Sequence, residues 1–154
     1  MSERVIFEHL FSIANQSKDT DGVVTSCLVR DGQIIADAVS AGEGHSEFML
    51  LHKLTARGIE IHPSDILYVT LQPCDRRSTD LGLILGDCTT NTIAAGIKNV
   101  VYAAPYPKSL NGIERFTAAG VHIRQVVNRT IAKQAAELFN STNENTEKHL
   151  PVPN

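Results

Sequence analysis

Two short runs constrain this chain more than any other feature. Residues 65–71 (Asp-Ile-Leu-Tyr-Val-Thr-Leu) and 98–104 (Lys-Asn-Val-Val-Tyr-Ala-Ala) are apolar at consecutive rather than alternate positions. As strands they need cover on both faces, which an antiparallel meander with one wet side does not give. Helical patterns stand between and around them. Val5, Ile6, Leu10, Phe11, Ile13 and Ala14 set a helix over 3–17, and Phe48, Leu51 and Leu54 set one over His45–Arg57 that Gly58 closes. Further helices are predicted at Cys88–Ala95, 113–119 and 128–139, the last with Asn128 as its N-cap. Val23–Val29 and Gln33–Val39 flank Arg30-Asp31-Gly32 and read as a hairpin, and Val121–Val127 reads as a further strand. Buried strands that alternate with helices predict a three-layer α/β/α domain with a mixed, partly parallel sheet flanked by helices. The pattern does not give the strand order.

With 154 residues, the chain has the length of one domain. We assign residues 1–140 to that domain and 141–154 to a polar tail, read as frayed or as an arm on a partner subunit. The balance of 14 basic and 17 acidic residues leaves a formal charge of -3, which argues against a polynucleotide or an anionic membrane as the partner. No apolar run approaches the roughly 20 residues of a membrane helix. Charges in Met1–Leu10 stand where a signal peptide has its apolar stretch, so a cytoplasmic protein is expected. Three cysteines do not build a disulfide scaffold, and in a reducing compartment they are available to a metal.

Three features then stand together: His45-Ser46-Glu47, Pro73-Cys74 and Cys88. One His and two Cys supply three zinc ligands, the count of a site that keeps its fourth position open. His45 and Cys88 each open a helix after a loop, whereas Cys27 sits mid-strand and reads as core. Glu47 lies about 200° from His45 on an ideal helix, so the two are not co-ligands on one stripe. In a first turn, the carboxylate reaches past the helix end and suits a proton shuttle. His9, His52, His62, His122 and His149 read as surface side chains, and Lys108 as an exposed loop lysine.

The pattern H-x-E, then P-C and a later Cys, resembles the signature of the zinc-dependent nucleobase deaminases. The likeness covers roughly residues 5–127. Thr70–Cys74, Cys88–Val101, Pro107-Lys108, Asn111–Ile113 and Ala118–Val121 are similar to the deaminase half of bacterial riboflavin-biosynthesis enzymes. This resemblance implies the deaminase-like fold, zinc on His45, Cys74 and Cys88, and Glu47 as the catalytic acid and base. It implies substrate contacts from Ser46 and from the Pro73 carbonyl. Three departures from that pattern are plain. Thirteen residues separate Cys74 from Cys88, Gln72 stands where the family usually has Glu, and Asp21 stands roughly where the riboflavin type has a substrate-binding Asn.

The expected activity is hydrolytic deamination of an amino-substituted pyrimidine-like nucleotide or nucleoside, with the riboflavin-pathway pyrimidine as one candidate. The alternatives are a cytidine, deoxycytidylate or guanine deaminase, or a catalytically silent zinc-bearing homologue serving as a binding subunit. Asp21, Arg76 and Arg77 complete the candidate substrate contacts, the arginines because guanidinium forks suit phosphate. A homodimer or higher homo-oligomer is expected.

Overall fold

The computed structural model of the protein describes residues 1–42, 45–76 and 86–154. Helix α1 (Glu3–Ser12) and a 3₁₀ turn (Ala14–Gln16) precede the hairpin of β1 (Thr25–Arg30) and β2 (Gln33–Val39). Then follow α2 (Ser46–Ala56), β3 (Ile66–Leu71), α3 (Cys88–Ala94), β4 (Asn99–Ala104), α4 (Gly112–Ala118), β5 (His122–Gln125) and α5 (Arg129–Ser141). A second 3₁₀ turn spans Thr146–Lys148. The five strands form one sheet in the order β2-β1-β3-β4-β5. Strand β1 pairs antiparallel with β2 and β3, while β3, β4 and β5 run parallel.

Consecutive apolar residues along the central strands do face opposite layers. Cys27, Tyr68, Val101 and Ala103 pack with Ile6, Phe7 and Leu10 of α1 and with Ile131, Ala132 and Ala135 of α5. Leu28, Leu67, Val69, Val100 and Tyr102 face the other way, onto Leu50 and Leu54 of α2 and Phe116 of α4. This two-sided burial is what the runs at 65–71 and 98–104 require. The hairpin turns at Asp31 and Gly32, both at positive φ (51° and 75°), the geometry of a two-residue turn matched to strand twist. At the end of α2, Gly58 N donates to Thr55 O and Ile59 N to Leu54 O, the paired bonds of a Schellman cap.

The first helix is shorter than the 3–17 periodicity predicts. The Leu10 carbonyl that a further turn would need accepts from Thr25 Oγ1 (2.9 Å) instead, and the chain tightens into the 3₁₀ turn Ala14–Gln16. The first strand begins at Thr25 rather than Val23, because Val23 N donates to Thr142 Oγ1 and Val24 N to Ser40 Oγ instead of to a neighbouring strand. The tail does not fray in this chain. Leu150 is buried in the core, and Asn140 holds it by two bonds, Asn140 Nδ2 to Leu150 O (2.9 Å) and Leu150 N to Asn140 Oδ1 (2.7 Å). No described helix is long and apolar enough to cross a membrane.

Candidate active site

Strand β3 ends at Leu71. Gln72 N still donates to Ala104 O (2.8 Å), and Pro73, which has no N–H, then turns the chain out of the sheet. Cys74 follows directly at the carboxyl end of a parallel strand, where open α/β sheets place their ligands. His45 immediately precedes α2, and Cys88 is the first residue of α3. Asp87 fixes that start by accepting from Thr90 N (2.7 Å). Thr89 N and Oγ1 both donate to Cys74 O at 2.9 Å, which locks the two cysteine segments together.

The three predicted ligands meet. His45 Nδ1 lies 3.2 Å from Cys88 Sγ and 3.4 Å from Cys74 Sγ, and all three ligand atoms fall within 4.8 Å of one another. A tetrahedral zinc with N at about 2.0–2.1 Å and S at about 2.3 Å sets its N and S ligands about 3.6 Å apart. The donor set therefore fits one ion. The hydrogen bond from Cys88, with help from His45, draws Cys74 down to about 5, and the same bond pushes Cys88 up. Among the described residues Cys27 is not part of this cluster. It is fully buried between β2 and β3, and burial pushes its thiol up, away from thiolate chemistry.

Glu47 is buried and accepts from Ser46 Oγ (2.8 Å). Burial lifts its carboxyl above the ordinary carboxylate range, against the opposing charge of His45 and the Ser46 bond. Glu47 also borders a cavity of ≈ 610 Å³ that His45 and Cys74 share. Asp21 and Arg76 line this cavity too, so two of the proposed substrate contacts reach it. Ser46 is fully buried with its hydroxyl on Glu47, and Pro73 is buried between Gln72 and Cys74. Arg77 lies outside the described residues.

The residues that sequence reasoning missed hold the loop after β4. Asp75 Oδ2 accepts from Ser109 Oγ (2.9 Å) and from the consecutive amides of Leu110 (2.6 Å), Asn111 (2.8 Å) and Gly112 (2.9 Å). Burial works against this carboxylate's charge, but the bonds from Asn111, Ser109, Leu110 and Gly112 prevail and hold it below the usual range. A Cβ on Gly112 would stand 3.1 Å from Asp75 Cβ and 3.2 Å from Thr89 Oγ1, so a larger residue here would push Asp75 or Thr89 aside by a few tenths of an ångström. Arg115 donates to Asp75 O (3.3 Å) and pairs with Asp87 (3.5 Å), tying the exit from Cys74 to the entry of α3.

The departure at Gln72 has a physical account in the same network. Its Oε1 accepts from Tyr106 N (3.0 Å), and its Nε2 donates to Ser109 Oγ (3.2 Å), whose own proton goes to Asp75. A neutral amide serves both ends of that chain, whereas a carboxylate has no proton to give Ser109. The anchored loop brings Tyr106, Pro107 and Lys108 to the cavity. Lys108 and His149, read as surface side chains, are both part of the lining. No local signal marks them, because their neighbours in the wall come from distant parts of the chain.

A mixed α/β sheet with a His/Cys/Cys cluster at the carboxyl end of a parallel strand, and a buried glutamate beside it, defines the class of metal-dependent nucleobase deaminases. The profile of the cytidine and deoxycytidylate deaminase zinc-binding region matches residues 2–104, and the chain belongs to that family. Among solved structures it is similar to the diaminohydroxyphosphoribosylaminopyrimidine deaminase/5-amino-6-(5-phosphoribosylamino)uracil reductase of Thermotoga maritima. That match has 27% identity and a TM-score of 0.69, covering 91% of this chain and 42% of that one. The Aspergillus oryzae Rib2 deaminase, solved in complex with DARIPP, gives 20% identity and a TM-score of 0.69, covering 95% and 94%. The dCMP deaminase of cyanophage S-TIM5, with dCMP and dUMP, gives 20% and 0.63, covering 82% and 99%. The chain spans about two fifths of the length of the Thermotoga maritima and Acinetobacter baumannii structures that it matches. No curated protein sequence matches it.

Proposed function

We propose that the protein is a zinc-dependent hydrolytic deaminase of an amino-substituted pyrimidine-like nucleotide, with the riboflavin-pathway pyrimidine and deoxycytidylate as the leading candidates. The observation that carries this reading is Glu47, a buried carboxylate bordering the same cavity as His45 and Cys74. A metal held for structure alone has no use for such a carboxylate, which argues against a silent binding subunit. His45, Cys74 and Cys88 are the residues to hold zinc, which when bound supplies an acidified water at neutral pH. Glu47 takes one proton from the attacking water and gives it to the ring nitrogen, then takes the second from the hydroxyl of the resulting adduct and gives it to the departing amine. A carbon–oxygen bond forms, the exocyclic carbon–nitrogen bond breaks, and ammonia leaves. Ser46 holds Glu47 by its hydroxyl, and the Pro73 carbonyl is the proposed acceptor for the leaving amino group. Asp21 and Arg76 are the proposed contacts to the rest of the substrate. Arg77 is proposed to join Arg76 on a phosphate.

The test is ammonia release from a panel of aminopyrimidine nucleotides, their nucleosides and guanine, with zinc measured on the same sample. Turnover of a pyrimidine member at about one zinc per chain supports the proposal. Zinc-loaded protein inactive on the whole panel overturns it.

A further inference from the structure

The cavity has a wall that the family match does not reach. Beyond residue 104 the chain builds α4, β5 and α5 and then returns to the site, where Lys148, His149, Leu150 and Pro151 line the same cavity as His45, Glu47 and Cys74. This return is fixed at several points. Thr142 Oγ1 accepts from Val23 N (2.7 Å), Asn143 forms an isolated bridge with Asp21, and Glu144 N donates to Thr20 O (2.9 Å). His149 Nε2 sits 2.9 Å from Asn143 O, a carbonyl, and so carries its proton there. Asn140 then clamps Leu150 from both sides of its peptide unit.

The charges on this wall point to its use. Arg76 follows β3, Lys108 follows β4 and Lys148 lies on the returning segment, yet all three border one cavity. All three are exposed and stand among carboxylates, since Asp19, Asp21, Glu47 and Glu147 border the same cavity, and they are the groups there that suit a phosphate. On the acidic side, Glu47 is committed to proton transfer, and Asp19 Oδ1 already accepts from Asp21 N (3.0 Å). Asp21 and Glu147 also border the cavity and suit hydroxyl donors of a sugar.

We infer that the segment Glu147–Pro151 is a substrate-recognition wall in which Lys148, with Lys108 and Arg76, binds the phosphate of a ribose-phosphate group. This rests on the nucleotide reading above. Its test is therefore a binding measurement that needs no turnover. Ribose 5-phosphate and ribose serve as probes, titrated calorimetrically into zinc-loaded protein. The wild type should bind ribose 5-phosphate at least about tenfold more tightly than ribose, the worth of one charge-assisted hydrogen bond. Lys148→Ala should remove most of that difference, and Lys148→Arg should keep it. Asn140→Ala, which releases the clamp on Leu150, should act like Lys148→Ala. Thermal melting and zinc content of Lys148→Ala should match the wild type.

Equal binding of ribose 5-phosphate by wild type and Lys148→Ala overturns the inference, as does equal binding of the two probes by the wild type. A chain that deaminates a nucleotide yet shows no Lys148 effect keeps its reaction and loses this wall. A Lys148-dependent chain that deaminates nothing keeps the wall and loses the reaction.

Discussion

Replacing Asp75 tests whether one buried carboxylate organises the cavity wall independently of the metal. In Asp75→Ala, Gly112 N is left buried without its acceptor, while Leu110 and Asn111 are exposed and can turn to water. A buried orphan donor costs about 1–3 kcal/mol, and each rehydrated amide loses about 0.5–1.5 kcal/mol, so the total comes to about 4 kcal/mol. In Asp75→Asn the amide oxygen can keep the cradle without its charge. Its nitrogen then takes the place of Oδ1, a buried atom with no partner, and a loss of about 2 kcal/mol follows. Urea titrations followed by circular dichroism should rank wild type, Asn, then Ala. The corresponding thermal shift for Ala is roughly 10 °C in a domain of this size. Zinc content should hold in both variants, because Thr89 fixes Cys74 O through two bonds of its own. KM should rise more than kcat falls, since the loosened loop carries Tyr106 and Lys108. An Asp75→Ala variant within about 1 kcal/mol of wild type refutes the reasoning, because the four bonds would then hold nothing that solvent does not replace.

Glu47→Gln should keep fold and zinc while losing about 10²–10⁴-fold in kcat, measured by ammonia release. Cys74→Ala and Cys88→Ala should lose the metal on dialysis, and Cys27→Ala should retain about one zinc per chain by atomic absorption. Gln72→Glu restores the family's usual residue but sets a second carboxylate against Ser109 and Asp75. KM should rise with zinc unchanged, and a variant with improved KM would count against the network described here. Asp65, fully buried, accepts a two-pronged pair from Arg30 (2.8 Å each), which draws its pKa below the ordinary value. A depressed folded-state pKa adds stability above the unfolded value and loses it as pH falls through the folded one. The gap in urea midpoint between wild type and Asp65→Asn should thus be constant from neutral pH to about pH 5 and shrink below about pH 4.

What the sequence made legible follows from the range of the interactions involved. The runs at 65–71 and 98–104 declare strands covered on both faces, since each needs only its own residues to show that no side is wet. His45, Cys74 and Cys88 stand at helix starts and a strand end, positions that short-range signals mark, and the fold brings them together as expected. The first helix ends short of the 3–17 pattern because Thr25, from the next strand, takes the Leu10 carbonyl. Periodicity within 3–17 has no knowledge of that hydroxyl.

The cavity walls belong to the other regime. Asp75 meets its amides 35 to 37 residues downstream, and Val23 meets Thr142 across 119 residues. Nothing in the composition of 141–154, which is polar and without a strong pattern, distinguishes a docked segment from a frayed one; Asn140 and Leu150 decide it together. The same division bears on how such a site changes. The proposed ligands His45, Cys74 and Cys88, and Glu47, lie within the family-matched residues 2–104, whereas Lys108 and Lys148–Pro151 lie beyond them. Each wall is held by its own hydrogen bonds rather than by contacts to His45 or Cys88. Substitutions in the walls can therefore reshape the cavity and leave the geometry around His45, Cys74 and Cys88 in place.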